Sequence, residues 1–473
     1  MRKDKITGSI DLLTILIYLV LVTLGWLNIY SADYSDQYPN ILDMDQRYGK
    51  QFLWIIAALV IATTIIVIDY RFFEFFGYVI YIAAILLLLF VLVAGKEING
   101  AKSWFSIGSF QIQPSEFAKP AVALALAKYL STFNINIHKL STFVITALII
   151  FAPSMLILMQ PDTGSALVFF AFILTIYREG FSSYILLIGL GLVILSIMVL
   201  LFSEIIVLAI ILAAAFIVYW FITQSFRKAI KILLYFLGIY GFVFALSHLS
   251  GTPGSFYLAG VIATIIGALI AAIVIYIKNI RRVIYVVITV VASIFFSYTV
   301  SHAFHNYLSG YQQNRINIML GIDSDLLGAG YNLNQSKIAI GSGGLTGKGF
   351  LNGTQTKMHF VPEQSTDFIF CTVGEELGFI GTTFIIILFI VLLYRLIFLA
   401  ERQRSRFARI YGYGVIAVLF FHFAINIAMT IGLFPVVGIP LPFFSYGGSS
   451  LWAFTILLFI FIRFDASRTD YLA

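Results

Sequence analysis

The sequence predicts an all-α polytopic membrane protein. Of its residues, 61% are hydrophobic and only 11% are charged, whereas soluble domains carry about 25% charged residues. The mean hydropathy is +1.00. Apolar stretches of roughly 20 residues recur along the chain, and each is long enough to cross about 30 Å of hydrocarbon. The short alternating segments of a transmembrane barrel are absent from the sequence.

These apolar stretches define fourteen predicted spans. The first, Ile10–Tyr30, is too long for the core of a signal peptide and is interpreted as a retained helix. Only Ser203 and Glu204 separate the seventh span from the eighth. The predicted spans are 10–31, 50–69, 73–94, 114–131, 141–159, 164–178, 183–203, 205–223, 228–248, 256–278, 283–304, 366–397, 409–431 and 449–464.

The charges between the spans predict the orientation. With the N-terminus in the cytoplasm, the basic clusters at 2–5, 227–231, 278–282 and 402–409 all lie inside, while the first outside loop carries four aspartates. This is the positive-inside pattern. It also accounts for the net charge of +7, which therefore does not indicate nucleic acid binding. Eleven spans precede segment 305–365, so this segment is expected outside.

Several common site types are excluded by motif and spacing. Cys371 is the single cysteine, so the chain has no internal disulfide and no cysteine cluster for a metal. The histidines lack a zinc-ligand spacing such as H-E-x-x-H, and no G-x-S-x-G elbow occurs. Gly347-Lys348 lacks the remaining residues of a phosphate-binding P-loop.

Two short constellations follow predicted span ends. Pro114 suits the first turn of a helix, with Gln113 or Ser115 as its cap. Glu116 and Lys119 then lie three residues apart on one helix face and can pair. They form either a structural ion pair or part of a functional cavity. Asp162 lies between two spans with almost no loop, and it either caps the next helix or faces the same cavity.

Two longer constellations complete the set. Segment 305–365 is rich in glycine and charged residues, and a loop of this length is uncommon unless it is functional or disordered. Its alternative interpretation is a solvated structural loop. Segment 435–449 contains three prolines and three glycines between two spans. Such a segment cannot be a plain helix, and it predicts a re-entrant element whose backbone finds partners in protein or a cavity.

These four groups, in this order, resemble the SEDS family (shape, elongation, division and sporulation proteins). The similarity runs from the first span to the last, apart from a central insertion. Gly341-Ser342-Gly343-Gly344-Leu345 and Gly353-Thr354-Gln355 resemble the branch that acts in cell elongation rather than division. The chain departs from the family at Leu326, where proline is usual, and at Ser103, where arginine is common.

The resemblance implies a single membrane domain over 1–473, with a ten-span core and an extracytoplasmic catalytic loop at 305–365. Residues 183–282 have no counterpart in the usual ten-span pattern and are interpreted as four inserted helices. It implies a peptidoglycan glycosyltransferase in the bacterial cytoplasmic (inner) membrane, with lipid II as substrate and membrane lipids around it. The expected partner is a class B penicillin-binding protein that supplies transpeptidation. The family's essential aspartate falls on Asp325, and its cavity residues fall on Trp104, Glu116, Lys119, Asp162 and Arg315.

The chemistry of glycan polymerisation suggests a role for each residue. The attacking sugar hydroxyl needs a base, and a carboxylate in a partly apolar cavity has a raised pKa suited to that work, so Asp325 is the candidate. Lys119 and Arg315 are candidates to stabilise the departing diphosphate. A divalent cation, magnesium or manganese, is a further possibility. Glu116 would hold Lys119, and Trp104 would stack on a sugar.

Two other classes of function compete with this interpretation. A lipid II flippase also has many spans, intramembrane charges and broken helices. A transporter, however, places its polar residues near the bilayer midplane, whereas these collect on one predicted face. A scaffold for the penicillin-binding partner leaves the dense charges unexplained.

Overall fold

The computed structural model describes residues 10–34, 40–98, 100–107, 110–133, 135–137, 139–249, 256–278, 281–308, 310–322 and 330–468. These residues fall into two compact units. The first lies within 1–183 and 325–473, and the second within 184–324. Both units are built from helices.

The first unit contains a helical bundle and one small sheet. A three-stranded antiparallel sheet, in the order β1-β2-β3, connects its third helix to its fourth. Its elements are α1 (Leu12–Ala32), α2 (Arg47–Val67), α3 (Tyr70–Ala94), β1 (Lys96–Ile98), β2 (Ala101–Ile107), β3 (Phe110–Ile112), α4 (Pro114–Ser131), α5 (Leu140–Leu158), α6 (Thr163–Val168) and α7 (Phe172–Arg178), and then, after the second unit, α14 (Tyr331–Ser342), α15 (Thr354–Lys357), α16 (Ile369–Glu401), α17 (Arg406–Ile431) and α18 (Gly448–Ala466).

The second unit contains α8 (Tyr184–Leu201), α9 (Glu204–Thr223), α10 (Phe226–Leu249), α11 (Phe256–Lys278), α12 (Arg281–Asn306) and α13 (Gly310–Met319). Within it, α9 packs against α10, α11 and α12. The unit begins next to the start of the predicted insertion 183–282 and continues to residue 324. The interpretation of 183–282 as an insertion stays a prediction.

Each of the fourteen predicted spans coincides with helical structure, which confirms the all-α prediction. Within the described residues, ten helices are long and apolar enough to cross a membrane, and three shorter apolar stretches lie at 163–178, 230–246 and 259–271. The count of fourteen spans therefore stays a prediction. The described residues of segment 305–365, which the sequence predicts to be a loop, include three helices, α13, α14 and α15.

Helix α4 is the centre of the first unit. It packs against α3, α5, α17 and α18, and most of its residues are buried around its whole circumference. It does not qualify as a spanning helix by hydropathy, since it carries Glu116, Lys119 and Lys128. A helix buried on all sides belongs to a core, where charged groups can find partners within the protein.

The two ends of this bundle differ in chemistry. At the end where α1 begins and α16 and α18 finish, Arg395 pairs with Asp11 and Arg402 pairs with Asp465. At the opposite end, α4 and α18 begin side by side, where the Gln113 N–H donates to Ser449 Oγ at 3.2 Å. The arginine-rich end is the one that the charge pattern assigns to the cytoplasm. The residue groups before α4 and α18 meet at the other end.

The glycine-rich segment after α14 packs on a break in α16. Gly378 has φ 63° and ψ −159°, which interrupts the helix. The glycine-rich segment replaces the lost helical hydrogen bonds: the Lys348 N–H donates to Glu375 O at 3.0 Å, and the Phe379 N–H donates to Gly344 O at 2.9 Å. The backbone groups freed at the break thus form hydrogen bonds with the backbone of the glycine-rich segment.

Gly347 is the residue that this close approach requires. Its φ is +79°, and an added Cβ would overlap the carbonyl of Glu376. Only glycine combines a left-handed conformation with so little volume. The glycines here allow backbone to approach backbone.

We expect Gly347→Ala to lower the free energy of unfolding by about 2–4 kcal/mol, because it adds both backbone strain and a clash with α16. Gly341→Ala is the matched control. Gly341 is helical, and nothing lies within 4 Å of its added Cβ, so the change should be neutral or stabilising by up to about 1 kcal/mol. Thermal unfolding in detergent measures both. Equal effects of the two substitutions would contradict the packing role of Gly347.

Candidate active site

The start of α4 positions a buried ion pair. Pro114 occupies the first turn, as predicted, and Glu116 and Lys119 follow on one face. Lys119 Nζ lies 2.7 Å from both Oε1 and Oε2 of Glu116. Glu116 is 3% exposed and Lys119 is 1% exposed. The predicted pair is therefore confirmed, and it lies inside the bundle rather than on its surface.

A histidine from another helix completes the environment of the ammonium group. His422, on α17, places Nε2 2.9 Å from Lys119 Nζ, and its Nδ1 lies 3.1 Å from the carbonyl of Pro440. A lysine ammonium can only donate, so Nε2 accepts and Nδ1 carries the proton that Pro440 receives. The neutral tautomer is assigned by these two partners. Phe454 lies 4.9 Å from Nζ with its ring facing the charge.

Every N–H of Lys119 therefore has an acceptor: two carboxylate oxygens and one imidazole nitrogen. This matters because removing two charges from water costs several kcal/mol per ion, which is offset only when geometry and hydrogen bonding are complete. The site holds a fixed, charged, dehydrated lysine. It has no spare donor for a further ligand unless one of the three bonds is released.

Asp162 caps the next helix, which is one of the two roles that the sequence left open; that it faces the cavity of Glu116 and Lys119 stays a prediction. Its Oδ1 accepts from the Ser165 N–H at 3.0 Å and caps α6. Its Oδ2 accepts from Gln113 Nε2 at 2.8 Å, which ties α6 to the start of α4. Asp162 is half-buried and so remains more accessible than the ion pair.

The predicted cap of α4 is wrong in its detail. Gln113 occupies the cap position but its side chain makes no capping bond, because its amide is committed to Asp162. Ser115 makes no capping bond either, and its buried hydroxyl lacks a partner among the described residues. Tertiary contact has replaced local capping at this helix start.

The segment between α17 and α18 is irregular over 432–447, as its prolines and glycines predicted. Hydrogen bonds tie this segment to α17 and to the residues just before α16. Asn426 Nδ2 donates to Ile439 O at 2.7 Å, and Ser445 Oγ donates to Thr366 O at 2.6 Å. Together with the contact of His422 to Pro440, these bonds fix the segment beside the ion pair.

The remaining predicted site residues lie elsewhere in the chain. Trp104 is on β2, opposite Lys96 in the hairpin, and is half-buried. In the described structure, no hydrogen bond joins it to Glu116 or Lys119. Arg315 is on α13 of the second unit and is half-buried. Asp325 lies outside the described residues, so its position as a base stays a prediction.

A second cluster involves residues that sequence reasoning missed. Arg47 Nη1 donates to Ser365 Oγ at 2.7 Å, and its guanidinium lies 5.9 Å from the ring centroid of Tyr446. Burial raises the pKa of the nearby Asp33 carboxyl, while the charge of Arg47 and a hydrogen bond from Ser365 act in the opposite direction. Arg47 and Ser365 lie far apart in the sequence, so no local pattern indicated that they would pair.

Glu375 organises the segment that follows α14. Its Oε1 accepts from Lys348 Nζ at 2.7 Å and from the N–H groups of Thr354 and Gln355 at 2.8 and 2.9 Å. The residue is fully buried. Its signal in the sequence is an ionisable residue inside an apolar span, which by default marks a functional or organising position. His422 carried the same signal.

The described residues contain no group of three or more histidine, cysteine, aspartate or glutamate side chains that could hold a metal ion. The acidic residues Asp323 and Asp325 are not among them. The suggestion of a magnesium or manganese ion therefore stays a prediction, and no step is assigned to one here.

Sequence comparison relates the whole chain to one family. A family model described as "Cell cycle protein" and named for FtsW, RodA and SpoVE matches residues 11–237 and 203–470. The peptidoglycan glycosyltransferase RodA of Treponema pallidum is 32% identical over 462 residues, covering 98% of each chain. The peptidoglycan glycosyltransferase MrdB of Escherichia coli K12 is 31% identical over 449 residues, covering 95% of this chain and 90% of that one.

Structural comparison shows the same fold. A chain from a structure titled "Structural coordination of polymerization and crosslinking by a peptidoglycan synthase complex" superposes with a TM-score of 0.63 at 24% identity, covering 98% of both chains. The crystal structure of Thermus thermophilus rod shape determining protein RodA gives 0.55 at 22% identity, covering 97% of this chain and 98% of that one.

We expect Lys119→Met to lower the free energy of unfolding by about 3–5 kcal/mol, because it leaves the Glu116 carboxylate buried without its partner. The double variant Glu116→Met/Lys119→Met is the control, and it should recover at least about half of that loss by replacing the pair with packed apolar groups. Denaturation of both variants in detergent gives the two values. If the double variant is no more stable than Lys119→Met, the residues are not coupled in the way described.

Proposed function

Because this chain belongs to the FtsW, RodA and SpoVE family of cell cycle proteins, we propose that it is a peptidoglycan glycosyltransferase. It polymerises lipid II into glycan strands during cell elongation. This is the family that the ordered motifs predicted. The observation that carries the proposal is the relation, over 98% of both chains, to a protein named for that activity.

The reaction joins two sugars and releases a lipid diphosphate. The C4 hydroxyl of one GlcNAc attacks the anomeric carbon of a MurNAc, whose bond to the diphosphate breaks. The hydroxyl must lose its proton as the bond forms, which requires a base within hydrogen-bonding reach. We assign that role to Asp325, on the family resemblance at this position. The residues that precede α14 carry this aspartate.

The charge of the departing diphosphate requires cations nearby. Arg315 is half-buried on a short helix and serves as the candidate for direct contact. Lys119 is 1% exposed and its three donors are engaged. We therefore propose that it acts from within the bundle, as a fixed positive charge beneath the site rather than as a ligand of the phosphates.

The remaining site residues have supporting roles in this proposal. Glu116 holds Lys119, and Asp162 fixes the start of α4 through Gln113 while its half-buried carboxylate can accept a hydrogen bond from a sugar hydroxyl. Trp104 offers a half-buried indole in the hairpin before α4, suited to stacking on a sugar ring.

The chain is a multi-pass membrane protein. We place it in the bacterial cytoplasmic membrane with its site on the outer face, which agrees with arginines collecting at the opposite end of the first unit. A class B penicillin-binding protein is the proposed partner. A structure of similar fold comes from a peptidoglycan synthase complex that coordinates polymerization and crosslinking.

We expect Asp325→Asn to reduce polymerisation by at least about 100-fold, since general base catalysis contributes roughly 10²–10⁴. Asp323→Asn is the matched control, because it removes the same charge two residues away and should retain most activity. Both variants should insert into membranes and unfold at the temperature of the unaltered protein. An active Asp325→Asn enzyme would remove this residue from the role of base.

A second experiment separates polymerisation from transport. Purified protein is incubated with lipid II in detergent, with and without a cognate class B penicillin-binding protein, and the glycan products are resolved by length. A polymerase yields strands of many disaccharides, and the partner should increase the yield. A flippase would give a different result. Lipid II would stay monomeric under both conditions, and it would move across the bilayer of reconstituted vesicles.

A further inference from the structure

We propose that His422 is a positioning residue for the glycosyltransferase reaction: its neutral imidazole accepts the third hydrogen bond of Lys119 and so fixes a charged ammonium beneath the site. The inference rests on the proposed function for its catalytic consequence. The contact itself is a property of the structure. The proposed effect of His422 on the reaction passes through Lys119, which it contacts.

Without this histidine, one of the three N–H donors of Lys119 would lack an acceptor. The carboxylate of Glu116 takes two of the three protons at 2.7 Å. His422 Nε2, at 2.9 Å, takes the third. The pocket around them is dry, with Lys119 and His422 each 1% exposed. An N–H⁺ left without an acceptor in such a pocket carries the full desolvation penalty of a charged donor.

The backbone of the irregular segment decides which nitrogen of His422 accepts. Pro440 O lies 3.1 Å from Nδ1 and receives its proton, so Nε2 is left with a lone pair facing Lys119. The position of the ammonium is thus set by three separate elements: α4, α17 and segment 432–447. A shift of Pro440 would weaken the bond that His422 offers to Lys119.

Helix α17 strengthens this arrangement one turn further on. Asn426 lies four residues after His422, on the same helix face, and donates to Ile439 O at 2.7 Å and to Asp367 O at 2.9 Å. The carbonyl of Thr430, a further four residues on, accepts from Ser336 Oγ at 3.0 Å. This row holds the irregular segment and α14 against one helix. His422 is the member of the row that contacts the ion pair.

A histidine that merely filled space would behave differently. Its ring packs edge-on against Phe454 at 4.8 Å, and an apolar residue of similar size could preserve that packing. An acceptor, in contrast, cannot be replaced by an apolar group. Glutamine keeps both functions, because its carbonyl oxygen can accept from Lys119 while its NH₂ donates to Pro440.

The test compares His422→Gln with His422→Leu in the full-length protein. For His422→Leu we expect the rate of lipid II polymerisation to fall about 10- to 100-fold, the loss associated with one hydrogen bond to a charged group. His422→Gln should stay within about threefold of the unaltered enzyme, since the hydrogen bond is retained. Equal rates for the two variants, whether both high or both low, would overturn the proposal.

A stability cycle tests the contact without relying on activity. His422→Leu should lower the melting temperature more than His422→Gln does when Lys119 is present. In the Lys119→Met background this difference should shrink, because no ammonium remains to donate to residue 422 and only the hydrogen bond to Pro440 still separates glutamine from leucine. A difference of the same size in both backgrounds would show that His422 does not act through Lys119, and the proposal would fail. If the unaltered protein makes no glycan, the proposed function is rejected. The stability cycle still tests the contact between His422 and Lys119.

Discussion

The structure depends on one constraint: a lysine held in the dry interior of a helical bundle needs an acceptor for each of its protons. Glu116 supplies two and His422 supplies one. These partners come from α4 and α17, which cross the unit side by side, and Pro440 fixes the histidine from the irregular segment. A buried ion pair with complete partners is a rigid feature, since any displacement exposes an uncompensated charge.

The same reasoning explains why broken helices are tolerated in this unit. The backbone freed at Gly378 bonds to the glycine-rich segment, and the carbonyls of segment 432–447 bond to side chains of α17. Polar backbone at this depth survives only where protein supplies its partners. Of these two irregular stretches, segment 432–447 lies beside the ion pair, through the contact of Pro440 with His422.

The proposed chemistry is divided between a fixed interior and the segment that precedes α14. The interior holds Glu116, Lys119 and His422 in one arrangement, while Asp325 belongs to the segment that α14 follows. Glu375 anchors the segment that follows α14, because it binds Lys348 and the first turn of α15. Preorganised charge of this kind stabilises a developing anion without rearrangement during the reaction.

The sequence by itself determined the helical class, the position of the long apolar helices and the pairing of Glu116 with Lys119, because hydropathy and an i,i+3 spacing are local properties. It also identified the family. Tertiary structure alone decided that His422 completes the lysine's partners, that Gln113 serves Asp162 rather than its own helix, and that the glycines of 343–349 contact α16. Those contacts join residues tens to hundreds of positions apart, and no local pattern in a single sequence encodes which distant donor meets which acceptor.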